Sequence, residues 1–470
     1  MSLKHFHFSG ICGTAMASVA VLLKKRGHKI TGSDQNVYPP MSDFLKANEI
    51  EIQSPYHEDN LKPHPDVVVL GNVLSRGNPE VEYALEAHLH YISIAELLKN
   101  EFIRGNRSIV ITGTHGKTSV TSLTAQVFDH CKKPAGFMIG GIPENFGTSS
   151  RDVEKGGYFI IEGDEYDTSL FDKRSKFFHY LPDLLVINNI EFDHADIFKD
   201  IDDIKKSFIL MLRQIPQNGL IIVNGDDSVA LEVAKSGYSP YLTFGFSDKC
   251  DAVISNVKAI AGKLGMSFDL DYEENKGNWE IPILGEFNVR NAAAVILLAI
   301  HEGLPLEQVQ EALLNYKNVK RRLQQLTSNQ YVRVFDDFAH HPTAIKETIN
   351  ALRTAWPDSR IHAIFEARSN TAVRNIHQET LGAAFANADT ITISKLHRLE
   401  TIDPDERLDV NKIISELTAQ GKTAQQLESF DDIVEYCIAE AQPNDIFVMM
   451  SNGGFGGVPH LLAEALDNKW

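Results

Sequence analysis

The sequence is poor in cysteine, in basic charge and in long apolar runs, and each shortage removes a class of protein. Four cysteines, Cys12, Cys131, Cys250 and Cys437, are scattered over 470 residues without a C-x-x-C pair. That spacing offers neither a disulfide framework nor a zinc cluster. No apolar stretch nears the ~20 residues that cross a bilayer. The chain opens straight into a strand, not into a charged segment followed by an apolar one. A cytoplasmic protein that does not engage a membrane is expected. Lys and Arg number 45 against 63 Asp and Glu, a net charge of −18. Nucleic acid is thereby argued against as a partner, since phosphate backbones need basic surfaces. Small anions stay open, because local Arg, Lys and amide groups suffice to hold them. Nothing in the composition calls for an obligate protein partner.

What is present is a globular composition, 43% hydrophobic and 23% charged, in a chain too long for one ordinary core. Residues 4–8 read as a strand and Ser9-Gly10-Ile11-Cys12-Gly13-Thr14 as a glycine turn. A helix follows to near Arg26, closed by Gly27, and a second strand ends at Gly32-Ser33-Asp34. This βαβ start, with an acidic residue about 20 positions after the glycines, is Rossmann-like. The complete G-x-G-x-x-G is missing, which argues against a dehydrogenase. Asn72 follows another buried-type strand at 66–70, where such sheets hold ligands.

From Arg104 a second set of apolar strands, near 109–111, 158–161, 184–188 and 220–223, alternates with helical intervals and predicts a parallel sheet. Residues 251–280 alternate as a small antiparallel insertion, and after Lys320 the strand–helix pattern restarts at 332–335, 361–365, 390–394 and 445–450. The expectation is an α/β protein of three domains. A Rossmann-like domain spans 1–103, a central P-loop NTPase-like domain 104–319 and a second Rossmann-like domain 320–470.

The most informative segment is Thr112-Gly113-Thr114-His115-Gly116-Lys117-Thr118-Ser119, set between a β-branched strand and a helix. Glycines there let backbone N–H groups and a helix N-terminus surround an anion, while Lys117 adds charge and Thr118 a hydroxyl for Mg²⁺. The spacing is short, since Ile111 stands where the usual motif has its first glycine. A nucleoside triphosphate is nonetheless the natural ligand. Two polar clusters also follow strand ends: Glu162-Gly163-Asp164-Glu165-Tyr166-Asp167 and Asn188-Asn189-Ile190-Glu191-Phe192-Asp193-His194. Carboxylates so placed suit Mg²⁺, a hard cation that prefers oxygen.

These segments resemble the ATP-dependent Mur ligases of peptidoglycan synthesis. So do Asn288-x-x-Asn291-Ala292-Ala293-Ala294, Arg321-Arg322-Leu323-Gln324 and Asp336-Asp337-Phe338-Ala339-His340-His341-Pro342-Thr343, in order over nearly the whole chain. The resemblance implies that ATP lies against Gly113, Thr114, His115, Gly116, Lys117, Thr118 and Ser119, with Asn291 at the adenine and Arg322 and Asp337 joining from the third domain. It implies Mg²⁺ on Thr118 and Glu162, with His194 as a second-metal ligand. Gly10, Cys12, Gly13, Thr14, Asp34 and Asn72 would hold a UDP-sugar. Catalysis would rest on Lys117, Arg322 and His194, and on His115, His340 or His341 to orient the muramyl group or accept a proton; the sequence does not select among those three.

Within the family, residues 33–42, 71–79, 365–371 and 451–457 resemble the recycling branch. That branch joins UDP-N-acetylmuramate to the tripeptide L-alanyl-γ-D-glutamyl-meso-diaminopimelate through an acyl phosphate. His341, Arg368, Ser369 and Asn370 would then contact the peptide, Arg368 as a carboxylate clamp. The alternative is ligation of L-alanine by the same machinery. Other branches carry a carbamylated lysine after the histidine motif; Lys205 and Lys206 fall nearby without aligning to it.

Overall fold

Short β-branched runs that end in polar residues become parallel strands with their polar ends on one edge of a sheet. The structure, a computed structural model, describes residues 2–195, 197–261, 263–397, 399 and 402–470. They fall into two units. The first comprises Met1–Glu191, Ile201–Thr243 and Leu297–Val309, and the second Phe192–Asp200, Phe244–Ile296 and Gln310–Trp470.

The first unit contains a five-stranded parallel sheet with the spatial order Ile52–Gln53, Lys29–Ser33, His5–Ser9, Val67–Leu70, Tyr91–Ser93. Phe6, Phe8 and Val67–Leu70 are buried, as two helix-covered faces require. The same unit holds parallel strands ordered Leu220–Asn224, Leu184–Ile187, Arg107–Thr112, Tyr158–Glu162, Ala135–Met138, with Ser150–Arg151 antiparallel at the edge. Arg26 ties the two sheets together: its guanidinium donates to both oxygens of Asp152 at 2.6 and 2.5 Å.

The second unit contains an antiparallel meander of Ala252–Ala259, Met266–Tyr272 and Asn275–Ile281, the expected insertion. Its other sheet has the order Gln324–Gln325, Arg333–Asp337, Ile446–Met450, Ile361–Phe365, Thr390–Ser394, Thr423–Leu427 and is parallel except for the first strand. Side chains alternate between its faces. Phe335, Val448 and Phe365 enter one core, and Val334, Phe447 and Ile364 the other. Among the described residues, no helix is long and apolar enough to cross a membrane.

Candidate active site

Nearly every expected site residue follows the carboxyl end of a parallel strand, where an open α/β sheet exposes backbone groups and helix N-termini. In the first unit, strand Arg107–Thr112 runs into the glycine loop and helix Lys117–His130 begins behind it. Gly113 sits at φ 139°, and a Cβ there would lie 3.1 Å from both Asn188 Cβ and Asn189 N. Glycine is therefore needed on both counts. The left-handed Gly116 caps the helix, and His115 N donates to Asn189 Oδ1 at 2.7 Å, fixing the loop's course.

Lys117 folds back over this loop. Its ammonium donates to Gly113 O at 2.6 Å and to both Glu165 oxygens at 2.9 Å. Burial opposes the lysine charge, but Glu165 above all, then Asp164 and Glu162, outweigh it and raise the pKa. The acidic turn is itself ordered: Asp164 accepts from Lys176 Nζ at 2.6 Å. Burial would push Asp164 up, yet Lys176 and then Lys117 hold it below the usual carboxylate range. Thr118 Oγ1 donates to Glu162 Oε2 at 3.1 Å, and Glu162 Oε1 accepts from Gly140 N. A hydroxyl and a carboxylate together at a helix N-terminus fit a hard divalent cation. His115 Nε2 lies 3.1 Å from Glu191 Oε2, and Thr114 bonds the Glu191 backbone.

In the first sheet, Gly10 N and Ile11 N both donate to Ser33 O, and Gly13 caps helix Thr14–Lys25. Asp34 Oδ2 accepts from Cys12 N at 2.9 Å, so the acidic residue holds the glycine turn in place. Burial, then the Asp34 charge, push the Cys12 thiol up to about 11. Asn72 follows Gly71, whose N–H donates to Ser9 O at 2.9 Å. Beneath these turns lies Glu80, wholly buried, accepting from Ser9 Oγ at 2.5 Å, Ser33 Oγ at 2.6 Å and Asn60 Nδ2 at 2.8 Å.

In the second unit, Asp193, His194, His340 and His341 form an electrostatic cluster. Burial raises the Asp193 pKa, but His194, His340 and His341 pull it down to about 2. His340 Nδ1 is 3.0 Å from Phe338 O, whereas His341 caps helix Pro342–Ala355 by accepting Thr343 N–H at Nδ1. Asp337 accepts from Leu323 N and Ala339 N and faces the Arg322 charge; burial wins, and its pKa is raised. Arg322 stacks 4.7 Å from the Phe338 ring. Asn291 is buried in its helix and donates to Asn288 Oδ1 at 3.1 Å. Arg368 lies over Gly453, while Ser369 Oγ closes its own turn by accepting Ala372 N–H, and Asn370 is exposed. Lys205 pairs with Glu232 and Lys206 with Asp203.

Three residues add to the expected set. Glu165 pairs with Lys117, Glu80 supports the first glycine turn, and Glu366 lies wholly buried beside Arg368. Glu165 was visible as one of several carboxylates in a turn; only the folded turn distinguishes it.

The chain matches the Mur ligase family, catalytic domain, over residues 5–104, the Mur ligase middle domain over 111–299 and the Mur ligase glutamate ligase domain over 321–453. It is 38% identical over 99% of its length to UDP-N-acetylmuramate–L-alanyl-γ-D-glutamyl-meso-2,6-diaminoheptanedioate ligase of Haemophilus influenzae, covering 100% of that protein. A UDP-N-acetylmuramate–L-alanine ligase of Endomicrobium trichonymphae is 30% identical, over 92% of each chain. The crystal structure of a murein peptide ligase from Psychrobacter arcticus superposes with a TM-score of 0.71 at 34% identity, covering 99% of both chains. Fold, loop geometry and full-length likeness agree: the chain belongs to the Mur ligase family.

Proposed function

We propose that the enzyme joins UDP-N-acetylmuramate to L-alanyl-γ-D-glutamyl-meso-diaminopimelate, driven by conversion of ATP to ADP and phosphate. The choice of acceptor rests on one observation: 38% identity over 99% of the chain to a relative named for that tripeptide, against 30% over 92% for one named for L-alanine. Both nucleotide substrates belong to the cytoplasm, where we place the reaction.

A carboxylate and an amine do not condense in water unaided. A lactyl carboxylate oxygen of UDP-N-acetylmuramate attacks the γ-phosphorus of ATP, the bond to the β–γ bridging oxygen breaks, and ADP leaves. To Lys117 and Arg322 we assign the charge on the transferring phosphoryl group. Thr118 and Glu162 would hold Mg²⁺, which when bound would supply further neutralisation of the phosphate oxygens. His194 offers a nitrogen, a softer donor than this ion prefers, and we assign it a secondary place. The L-alanyl nitrogen of the tripeptide then attacks the acyl phosphate carbon, phosphate departs, and nitrogen gives up a proton.

Of the adjacent histidines, His340 is suited to take that proton. The Phe338 carbonyl only accepts, so the neighbouring His340 Nδ1 holds the ring proton and Nε2 carries the lone pair. His341 is the reverse, because its Nδ1 already accepts Thr343 N–H. The acyl-phosphate route is tested with UDP-N-acetylmuramate labelled with ¹⁸O in the lactyl carboxylate. One labelled oxygen should appear in the released phosphate for each amide formed with the tripeptide; unlabelled phosphate would rule the route out.

A further inference from the structure

The carboxyl edge of the second unit's parallel sheet holds a cluster that the assigned chemistry leaves unexplained. Glu366 follows strand Ile361–Phe365 and is 0% exposed. One of its oxygens accepts from Ser451 Oγ, and Ser451 Oγ in turn accepts from Gly453 N at 2.9 Å. The other, Oε1, is buried without a hydrogen bond among the described residues. A buried carboxylate oxygen in that state needs an N–H group or a positive charge beside it. Two side chains stand there: His397 Nε2 at 3.1 Å and Arg368 Nη1 at 3.7 Å.

Both of those side chains also reach solvent. Arg368 is 44% exposed and His397 39% exposed, although His397 Nε2 itself is buried. The ring therefore turns Nε2 inward to Glu366 and leaves its other side outward. Packing fixes this arrangement. A Cβ on Gly453 would come within 2.3 Å of Arg368 Cδ, so the loop lies flat against the arginine stem only as glycine. The His397 ring rests 5.9 Å from the Phe430 ring, and Phe430 lies 5.6 Å from Phe455 of the same glycine loop. Three loops that follow three neighbouring strands thus meet on one buried carboxylate, with two nitrogen-rich groups presented side by side.

We propose that His397 and Arg368 form a two-point site for a carboxylate of the peptide substrate, with Glu366 as the positioning residue that holds both. Arg368 supplies the planar fork that suits a carboxylate, and His397, with both ring nitrogens protonated, supplies a second donor through the nitrogen turned away from Glu366. Glu366 does not touch the peptide; it sets the spacing of the two groups that do. Asn452, in the same loop, has a buried side-chain oxygen without a partner among the described residues, an acceptor that a peptide N–H would satisfy. The inference rests on the tripeptide reading above and names the residues that would recognise the acidic end of that peptide.

The test uses the full-length enzyme with saturating ATP and UDP-N-acetylmuramate and two acceptors: the tripeptide, and the same tripeptide with the carboxylates of its third residue amidated. His397→Ala should raise KM for the unmodified tripeptide by about tenfold, the scale of one charge-assisted hydrogen bond. On the amidated peptide, wild type and variant should be alike. Glu366→Gln should raise KM on the unmodified peptide in the same selective way, with a thermal melt confirming that it folds. An equal penalty on both peptides, or none on either, would overturn the two-point site. If wild type ligates the tripeptide while His397→Ala changes nothing, this inference alone fails. If wild type consumes no tripeptide, the functional reading fails and the inference with it.

Discussion

Lys117 and Arg368 occupy comparable places, each beside a glycine-rich loop near the carboxyl end of a parallel strand and each near a carboxylate, yet they are held differently. The Lys117 side chain is 17% exposed and is gripped by both oxygens of Glu165 at 2.9 Å. Arg368 is 44% exposed and stands 3.7 Å from Glu366, with most of its donors uncommitted to that contact. An enclosed, doubly bonded ammonium is fixed in one geometry, which suits a phosphate chain that never varies. A half-exposed guanidinium braced from behind keeps donors for a ligand that differs between relatives. On the proposed reading, the first arrangement serves chemistry and the second serves choice of acceptor.

The sharpest break of this contrast is Lys117→Ala. It should lower ADP formation by about 10³-fold at any acceptor concentration, as loss of a transition-state charge does. A loss of similar size with Arg368→Ala at saturating tripeptide would erase the distinction. His340→Asn should cost about 10²-fold in kcat and flatten the acid side of the pH–rate profile, whereas His341→Asn should leave that limb in place. The reverse pattern would transfer the proton-accepting role to His341.

Arg368→Lys keeps the charge and removes the fork, so KM for the tripeptide should rise about tenfold while KM for ATP moves much less. The smallest effect concerns a third carboxylate. Burial pushes the Glu80 pKa up, but hydrogen bonds from His7, Ser33, Ser9 and Asn60 outweigh it and bring it below its ordinary 4.5. A folded pKa below the unfolded one means that the stabilisation is present above about pH 4.5 and is lost as the pH falls through the folded value. Urea titrations should therefore show wild type losing about 1 kcal/mol more than Glu80→Gln on acidification. Parallel curves would place Glu80 outside that linkage.

Much of the scaffold was legible because buried parallel strands announce themselves as apolar runs. Ile361–Phe365 and Thr390–Ser394 lie where the pattern put them. The half-exposed edge strand Thr423–Leu427, with sequence TAQQL, has no such signature, and neither does the three-residue Tyr91–Ser93. At the site, the glycine loop could be read because its backbone demands specific residues at fixed spacing. Glu165 could not be separated from Asp164 and Asp167, since an irregular turn has no periodicity to say which carboxylate faces Lys117. The difference between His340 and His341 lies in which ring nitrogen meets a carbonyl and which meets an N–H, a matter of local hydrogen bonds. Glu366 and His397 were hidden for another reason: they are distant in sequence and meet only because neighbouring strands end side by side.

The proposed enzyme joins a UDP-muramyl carboxylate to a peptide and not to a single amino acid. Enzyme, ATP, Mg²⁺ and UDP-N-acetylmuramate incubated with equal concentrations of L-alanine and L-alanyl-γ-D-glutamyl-meso-diaminopimelate decide it by mass spectrometry of the UDP-linked product. UDP-N-acetylmuramoyl-tripeptide should be the dominant product, with ADP released in equal amount. Product carrying L-alanine alone would contradict it.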